Sequence, residues 1–238
     1  METVARVMNE RPGVRRVTID RVQAAINELG YVRDTAAANL ARGKTYQFVF
    51  VLPDGKGQFL ASLKNAIEEA AGLAKHNRTE VRTILSSVFD QTALSETLNT
   101  LQSDEIDGLA IMANETPVVR DASSRLRERG VPVVSLISDQ PNSDRDHFVG
   151  IDNVAAGRTA GMLMGRFLGA RKGKIIVVIT SKQARDMVER RHGFDQILAE
   201  KFPNLEALPS IEGRDDPRLT EEINRRALAK NPDAIGVY

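Results

Sequence analysis

Five short polar stretches hold residue types that bind small molecules: PDGKGQF at 53–59, ANET at 113–116, SDQPNSD at 138–144, DN at 152–153 and TSKQ at 180–183. Together they carry carboxylates, amides such as Asn114, hydroxyls such as Ser181, and one aromatic, Phe59. Carboxylates and amides hydrogen-bond hydroxyl groups, and an aromatic ring stacks on the apolar face of a sugar ring, so this inventory suits a polyol. Enzyme chemistry has less support. His76, His147 and His192 are scattered without ligand spacing, so neither a metal site nor a nucleophilic triad is expected. The chain has no G-x-x-x-x-G-K-[ST] loop and no G-x-G-x-x-G opening a helix. No catalytic residue, cofactor or metal is expected.

The elements that must position these residues alternate regularly. QFVFVLP, EVRTILSS, DGLAIMA, VPVVSLIS, HFVGID, KIIVVIT and AIGVY are short β-branched runs that read as strands. Helical patterns fall between them, at roughly 57–76, 92–103, 118–129, 154–168, 185–201 and 217–230. Continuous apolar strands alternating with helices predict a doubly wound α/β body, a parallel sheet covered on both faces. In such sheets ligands bind beyond the carboxyl ends of the strands, which is where the five polar stretches fall. GARKGK at 169–174 interrupts the rhythm, so a first lobe is expected over 46–170 and a second over 171–238. AIGVY ends the chain as a buried-looking strand, and the second lobe is expected to be incomplete.

Composition narrows the class. With 238 residues, 42% of them hydrophobic, the chain can bury a core. No apolar run approaches the roughly 20 residues of a membrane helix, so no membrane association is expected. Glu2, Arg6 and Asn9 interrupt the start where a secretory signal needs a continuous apolar stretch, and there is no Cys. Both features favour the cytoplasm. Residues 1–45 hold eight Lys/Arg against five acids, a net +3, whereas the rest of the chain is net −2. A basic head on a near-neutral body suits nucleic acid, although many solvated helical hairpins carry as much charge.

That head reads as three short helices. In TVARVMN, Val4, Val7 and Met8 fall at i, i+3, i+4, leaving Thr3, Arg6 and Asn9 on the other face. Thr18 is placed to cap a second helix with the apolar stripe Val22, Ala25, Ile26 and Leu29, stopped by Gly30. The Ala-rich third segment, 35–42, is too short to be stable alone.

The run TVARVMN…TIDRVQAAINELGYV…AAANLARGKT resembles the headpiece of the LacI/GalR family of bacterial transcription repressors. That family's pattern runs T-V-S-R-V-L-N, T-x-x-R-V-x-x-A-I-x-E-L-G-Y and A-R-x-L-x-x-G-x-T, at the same spacing. The resemblance implies a partial helix-turn-helix over 1–45 ending in a hinge helix, and a two-lobed, periplasmic-binding-protein-like core. It implies operator DNA as a partner: Arg6 at base edges, Thr3 and Asn9 on phosphates, and Leu40 wedged into the minor groove. It also implies a homodimer. Taken alone, Arg6 is equally a solvated side chain and Leu40 a packing residue. Arg33 and Asp34 stand where the family has Pro-Asn, and the first helix and tight turn of the pattern do not precede Thr3. Both DNA binding and order in the head are therefore expected to be weakened.

In the body, ERRHGF at 189–194 looks like the family's R-x-x-G-F element, which places Arg190 in the cleft as a forked donor. VGIDNVAAGRTAGMLMGRFLG is similar to the sugar-binding branch. The likeness puts Asp152 and Asn153 at a cleft-facing helix start, Asp139 at the strand exit before it, and Phe59 as the stacking ring supported by Gln58. Each has an ordinary reading beside it. Asp152 is a good helix N-cap, Asp139 a turn residue, Phe59 a core residue and Arg190 a partner for Glu189. The expectation is a repressor that senses a sugar or related polyol. The rivals are a periplasmic-type solute-binding protein, which would need an export signal, and an α/β enzyme, which would need a nucleophile or phosphate loop.

Overall fold

The computed structural model describes residues 2–8, 12–31, 43–87 and 90–238. These form two compact units, residues 1–45 with His76–Arg78, and the rest of the chain from Tyr46. In the first unit, α1 (Glu2–Met8) turns Val7 and Met8 inward to half-burial and leaves Thr3 and Arg6 exposed. Helix α2 (Arg16–Leu29) starts one turn earlier than the sequence suggests. Arg15 is its N-cap, and Thr18 lies inside the first turn, with its N–H bonded to Arg15 O at 2.9 Å. Gly30 ends the helix in the left-handed region, φ 59°, where its own N–H and that of Tyr31 reach back to the last carbonyls. Asn9, the segment 36–42 and Leu40 lie outside the described residues.

The body begins with β1 (Tyr46–Pro53), α3 (Gln58–Ala74), β2 (Thr79–Ser86), α4 (Gln91–Thr100), β3 (Gly108–Ile111), α5 (Pro117–Glu128), β4 (Val133–Leu136) and β5 (His147–Val149). Its five strands run parallel in the order β2-β1-β3-β4-β5. The order reverses between β1 and β3, which opens a crevice at the carboxyl ends of those strands. Alternation along β1 explains the layering. Val49 and Val51 pack against Leu94 and Leu98 of α4 and Val119, Ala122 and Leu126 of α5. Phe50 and Leu52 face the other way, with Ile67 of α3 and Leu136.

The second lobe comprises α6 (Asn153–Leu168), β6 (Gly173–Ile176), β7 (Val178–Ile179), α7 (Arg185–Lys201), β8 (Leu205–Ala207), β9 (Ile211–Glu212), α8 (Pro217–Lys230) and β10 (Ala234–Val237). β10-β6-β8 form one parallel sheet and β7-β9 continue it after a break. The sequence pattern missed β8 and β9, which are three and two residues long. The lobe boundary also differs from the one expected at 170–171. Helix α6 packs on α7, with Gly157, Gly161 and Gly165 facing Arg190, Ile197 and Phe202 so closely that a Cβ would lie 1.9 to 2.3 Å from them. Helix α6 therefore belongs to the second lobe, and the chain crosses between lobes just before Asp152. Phe194 and Leu198 of α7 join Leu168, Ile175 and Leu205 in that lobe's core. Among the described residues no helix is long and apolar enough to cross a membrane.

Candidate functional site

Between the lobes lies a cavity of about 260 Å³, walled by the ends of β1, β3 and β4 on one side and by the β7 exit and α7 on the other. It sits beside the β1/β3 switch, where an open parallel sheet leaves room for a ligand. Phe59, Asn114, Ser181 and Arg190 line it. Met112, Ile137 and Met187 give the walls an apolar character, and Asp54, Ser138, Asp186, Arg214 and Asp215 add polar groups.

Local backbone geometry aims several of these residues. The Ser138 N–H bonds to Leu136 O at 2.7 Å across Ile137, whose φ is +64°. This tight turn holds a β-branched residue in the left-handed region, an unfavourable state that surrounding structure must enforce. It presents both Ile137 and Ser138 to the cavity. Arg214 and Asp215 are also left-handed, at φ 53° and 55°. Asp215 reaches across from the second lobe and accepts the Gly57 N–H at 2.9 Å. Gly57 is the N-cap of α3 and offers no side chain of its own. The carboxylate thus caps a helix of the opposite lobe, where the dipole favours it. A Cβ on Gly57 would sit 2.0 Å from Asp215 Oδ1, so the close approach needs glycine there. Arg185 on α7 lies 3.7 Å from Glu115 of the first lobe and spans the same cleft.

Arg190 Nε donates to Asn153 Oδ1 at 2.8 Å. Asn153 is 2% exposed and is not a wall residue; it fixes the guanidinium that is. One turn before Arg190 stands Asp186, 3% exposed. Burial raises its carboxyl above the ordinary carboxylate value of 3.8; the nearby Ser138 hydroxyl, the Arg190 charge and the N–H groups of Asp186 and Met187 oppose that shift. The Ser138 Oγ is close enough for the carboxyl to feel, yet it completes no normally aligned hydrogen bond.

Three further expected site residues do not line the cavity. Asp139 holds Arg145, with Nη2–Oδ2 at 2.7 Å, and accepts the Gln140 N–H at 2.8 Å. The Arg145 guanidinium keeps its carboxyl below the usual value. Asp152 caps α6 by accepting the Ala155 N–H at 2.8 Å. Gln58 is exposed at the start of α3 and does not line the cavity. The sequence reading missed Asp186 and Asp215, and held Ser138 within SDQPNSD without singling it out. Asp186 carried a usable signal, since it stands four residues before Arg190 on one helix face. Asp215 carried none, because its partner Gly57 is 158 positions away.

Residues 48–238 match the family model described as periplasmic binding protein domain, and residues 1–34 match that of bacterial regulatory proteins, lacI family. The chain is 26% identical, over its full length and 71% of the relative's, to the HTH-type transcriptional regulator pepR1 of Lactobacillus delbrueckii subsp. lactis. It is 26% identical to the HTH-type transcriptional regulator IdnR of Escherichia coli (strain K12), over 99% of this chain and 68% of that protein. It is 33% identical to catabolite control protein A of Priestia megaterium, over 58% of this chain and 40% of that one. Among solved structures, a solute-binding protein from Burkholderia graminis in complex with D-arabinose superposes with TM-score 0.73 at 22% identity, covering 82% of this chain and 65% of that one. XylFII gives TM-score 0.71 at 24% identity, over 82% and 70%.

Proposed function

Because the chain belongs to the lacI family of bacterial regulatory proteins, with a periplasmic binding protein domain over 48–238, we propose that it is a ligand-responsive DNA-binding repressor of transcription. The observation that carries this reading is one chain holding both an exposed Thr3/Arg6 face on α1 and a polar-and-apolar cavity between two lobes. Arg6 reads base edges, Thr3 and Asn9 hold phosphates and Leu40 opens the minor groove. The effector is a sugar or related polyol. A cavity of 260 Å³ falls below the roughly 300–1,000 Å³ of drug-sized sites and suits a single ring. Phe59 and the methionines meet its C–H face, while Asn114, Ser181 and Arg190 meet its hydroxyls. Ligand shifts the closure of the lobes and through it the affinity for DNA. Paired half-sites call for a homodimer, and operator DNA for the cytoplasm.

Selection from a randomised duplex library, followed by titration with and without a panel of pentoses, hexoses and polyols, tests the reading. An enriched duplex whose affinity one of the sugars changes is the expected result. Arg6→Ala should weaken specific binding by about 1–3 kcal/mol. Arg190→Ala should abolish the sugar response while the thermal transition persists. Enrichment of no duplex, together with tight sugar binding, would instead favour a solute-binding protein, the class to which the D-arabinose complex belongs.

A further inference from the structure

The stretch RDDPR at 214–218 holds two adjacent acids that serve two different helices. Asp216 caps the helix that follows it, accepting the N–H groups of Arg218 and Leu219 at 2.8 and 3.1 Å at the start of α8. Asp215 turns the other way and accepts the Gly57 N–H at the start of α3, in the first lobe. We infer that Asp215 is an interlobe latch. It holds the lobes closed through contacts of the chain itself, and its release from α3 is a required step in opening the cleft.

Three observations carry the inference. The first is the seat. A Cβ on Gly55 would lie 2.3 Å from Asp215 Oδ2 and one on Gly57 2.0 Å from Oδ1. Two glycines thus leave room for a carboxylate of the opposite lobe at a helix N-terminus, which carries a partial positive charge. The second is the mounting. The Gly213 and Arg214 N–H groups bond to Ile179 O and Thr180 O at 2.8 and 3.1 Å, and the Asp216 N–H returns to Gly213 O at 3.0 Å. Arg214 and Asp215 are consecutive left-handed residues, a state that needs support from its surroundings. A turn pinned in this way to the second lobe cannot follow α3, so separation of the lobes breaks the Asp215 contact. The third is the companion contact across the cleft, Arg185 to Glu115 at 3.7 Å. Arg185 also holds Glu189 on its own helix at 2.7 Å, so it keeps a partner when the lobes part. Asp215 has the shorter contact, and the stronger hold on closure falls to it.

A helix cap shifts an equilibrium by about 2- to 30-fold. That is enough to populate the closed form before an effector arrives and small enough to be undone by thermal motion. The consequence for signalling rests on the sensor reading above. An effector that prefers the closed form binds a prepared site, so its affinity gains, whereas the change of shape that it adds is reduced.

The chain has no Cys, so a pair of spin labels can be placed at Ser62→Cys on α3 and Arg218→Cys on α8, both exposed. Double electron–electron resonance on the full chain, without sugar, reads the distance between the lobes. The labelled parent should show mainly the short distance. Asp215→Ala should lower the closed-to-open ratio by about 2- to 30-fold. Gly57→Ala attacks the same contact from the other lobe and should open the cleft as well, which carries the test by itself should Asp215→Ala not fold. Combining the two should add little, because each removes the same interaction. Glu115→Gln should open the cleft less than either. A parent that is mainly open, or variants with the parent's distance distribution, would overturn the latch. Titration with D-arabinose then separates the two readings. With both correct, the variants bind more weakly by the closed fraction that they lose and show a larger change of distance on binding. Binding as tight as the parent's in variants that rest open would overturn the coupling of the latch to the effector. No response to any pentose, hexose or polyol counts against the sensor reading, while the distances measured without sugar still decide the latch.

Discussion

The packing of α6 on α7 predicts that a single substitution, glycine to alanine inside a helix, has opposite signs at two positions. Alanine is favoured over glycine in a helix interior by about 0.8–1.0 kcal/mol. At Gly72, near the end of α3, an added Cβ meets nothing within 4 Å. Gly72→Ala should therefore stabilise by about 0.5–1 kcal/mol, trimmed because the last turn frays. At Gly157 the same Cβ would lie 1.9 Å from the Arg190 carbonyl oxygen and 2.7 Å from its carbon. Both atoms are backbone of a facing helix and cannot swing aside. Reaching an ordinary 3.4 Å contact requires the helices to part by roughly 1.5 Å, and gaps of even 0.5–1 Å forfeit a quarter to a half of a contact's attraction. The neighbouring approaches of Gly161 to Ile197 and Gly165 to Phe202 would loosen with it. Overpacking of this kind costs about 1–3 kcal/mol. With the obstacle on backbone, the upper end applies, and the helix-propensity gain reduces it to a net loss of about 2 kcal/mol. For a chain of this size that lowers the thermal midpoint by about 4–8 °C, whereas Gly72→Ala raises it by about 1–4 °C. Differential scanning calorimetry of both variants measures these shifts. A Gly157→Ala protein at least as stable as wild type would refute the packing argument, and with it the assignment of α6 to the second lobe.

Asp152→Ala should cost about 1 kcal/mol through loss of the α6 cap and leave sugar affinity unchanged, as read by calorimetric titration; a large loss of affinity would return Asp152 to the site. Asp139→Asn should remove part of the protein's acid sensitivity. The Arg145 pairing lowers the Asp139 value, so its stability is present above the ordinary 3.8 and disappears as pH falls through the folded value. An unchanged acid limb in the variant would contradict that account. Leu126→Ala, at a fully buried position between α5 and the first sheet, should cost about 2–5 kcal/mol in urea unfolding; a loss under about 1 kcal/mol would mean that this core is looser than described.

Local pattern was enough to locate the long elements. Helices α7 and α8 occupy the spans expected from periodicity, 185–201 and 217–230, because a turn of 3.6 residues and an alternation of two leave marks within a short window. The parallel α/β body and its polar strand exits were legible for the same reason; Phe59, Asn114 and Ser181 stood in those exits, Arg190 came from the resemblance of ERRHGF to the family's R-x-x-G-F element, and all four line the cavity. Strands β8 and β9 were not, since two or three residues carry no period. The lobe boundary was not legible either: GARKGK looks like a linker, yet it is Gly157, Gly161 and Gly165 meeting α7 that assign α6 to its lobe. Asp139 and Asp152 had the right chemistry in the right loops, and only their neighbours, Arg145 and the Ala155 N–H, show what they do. Asp186 and Ser138 are 48 positions apart in the sequence, on different lobes, and although Ser138 opens the SDQPNSD stretch, no local pattern pairs it with Asp186. Their significance is a matter of burial and mutual distance, quantities that come into being only when two lobes close on one another. Residue type and spacing determined what this chain is made of and which family it resembles; tertiary packing decided which of its polar groups are left facing a ligand.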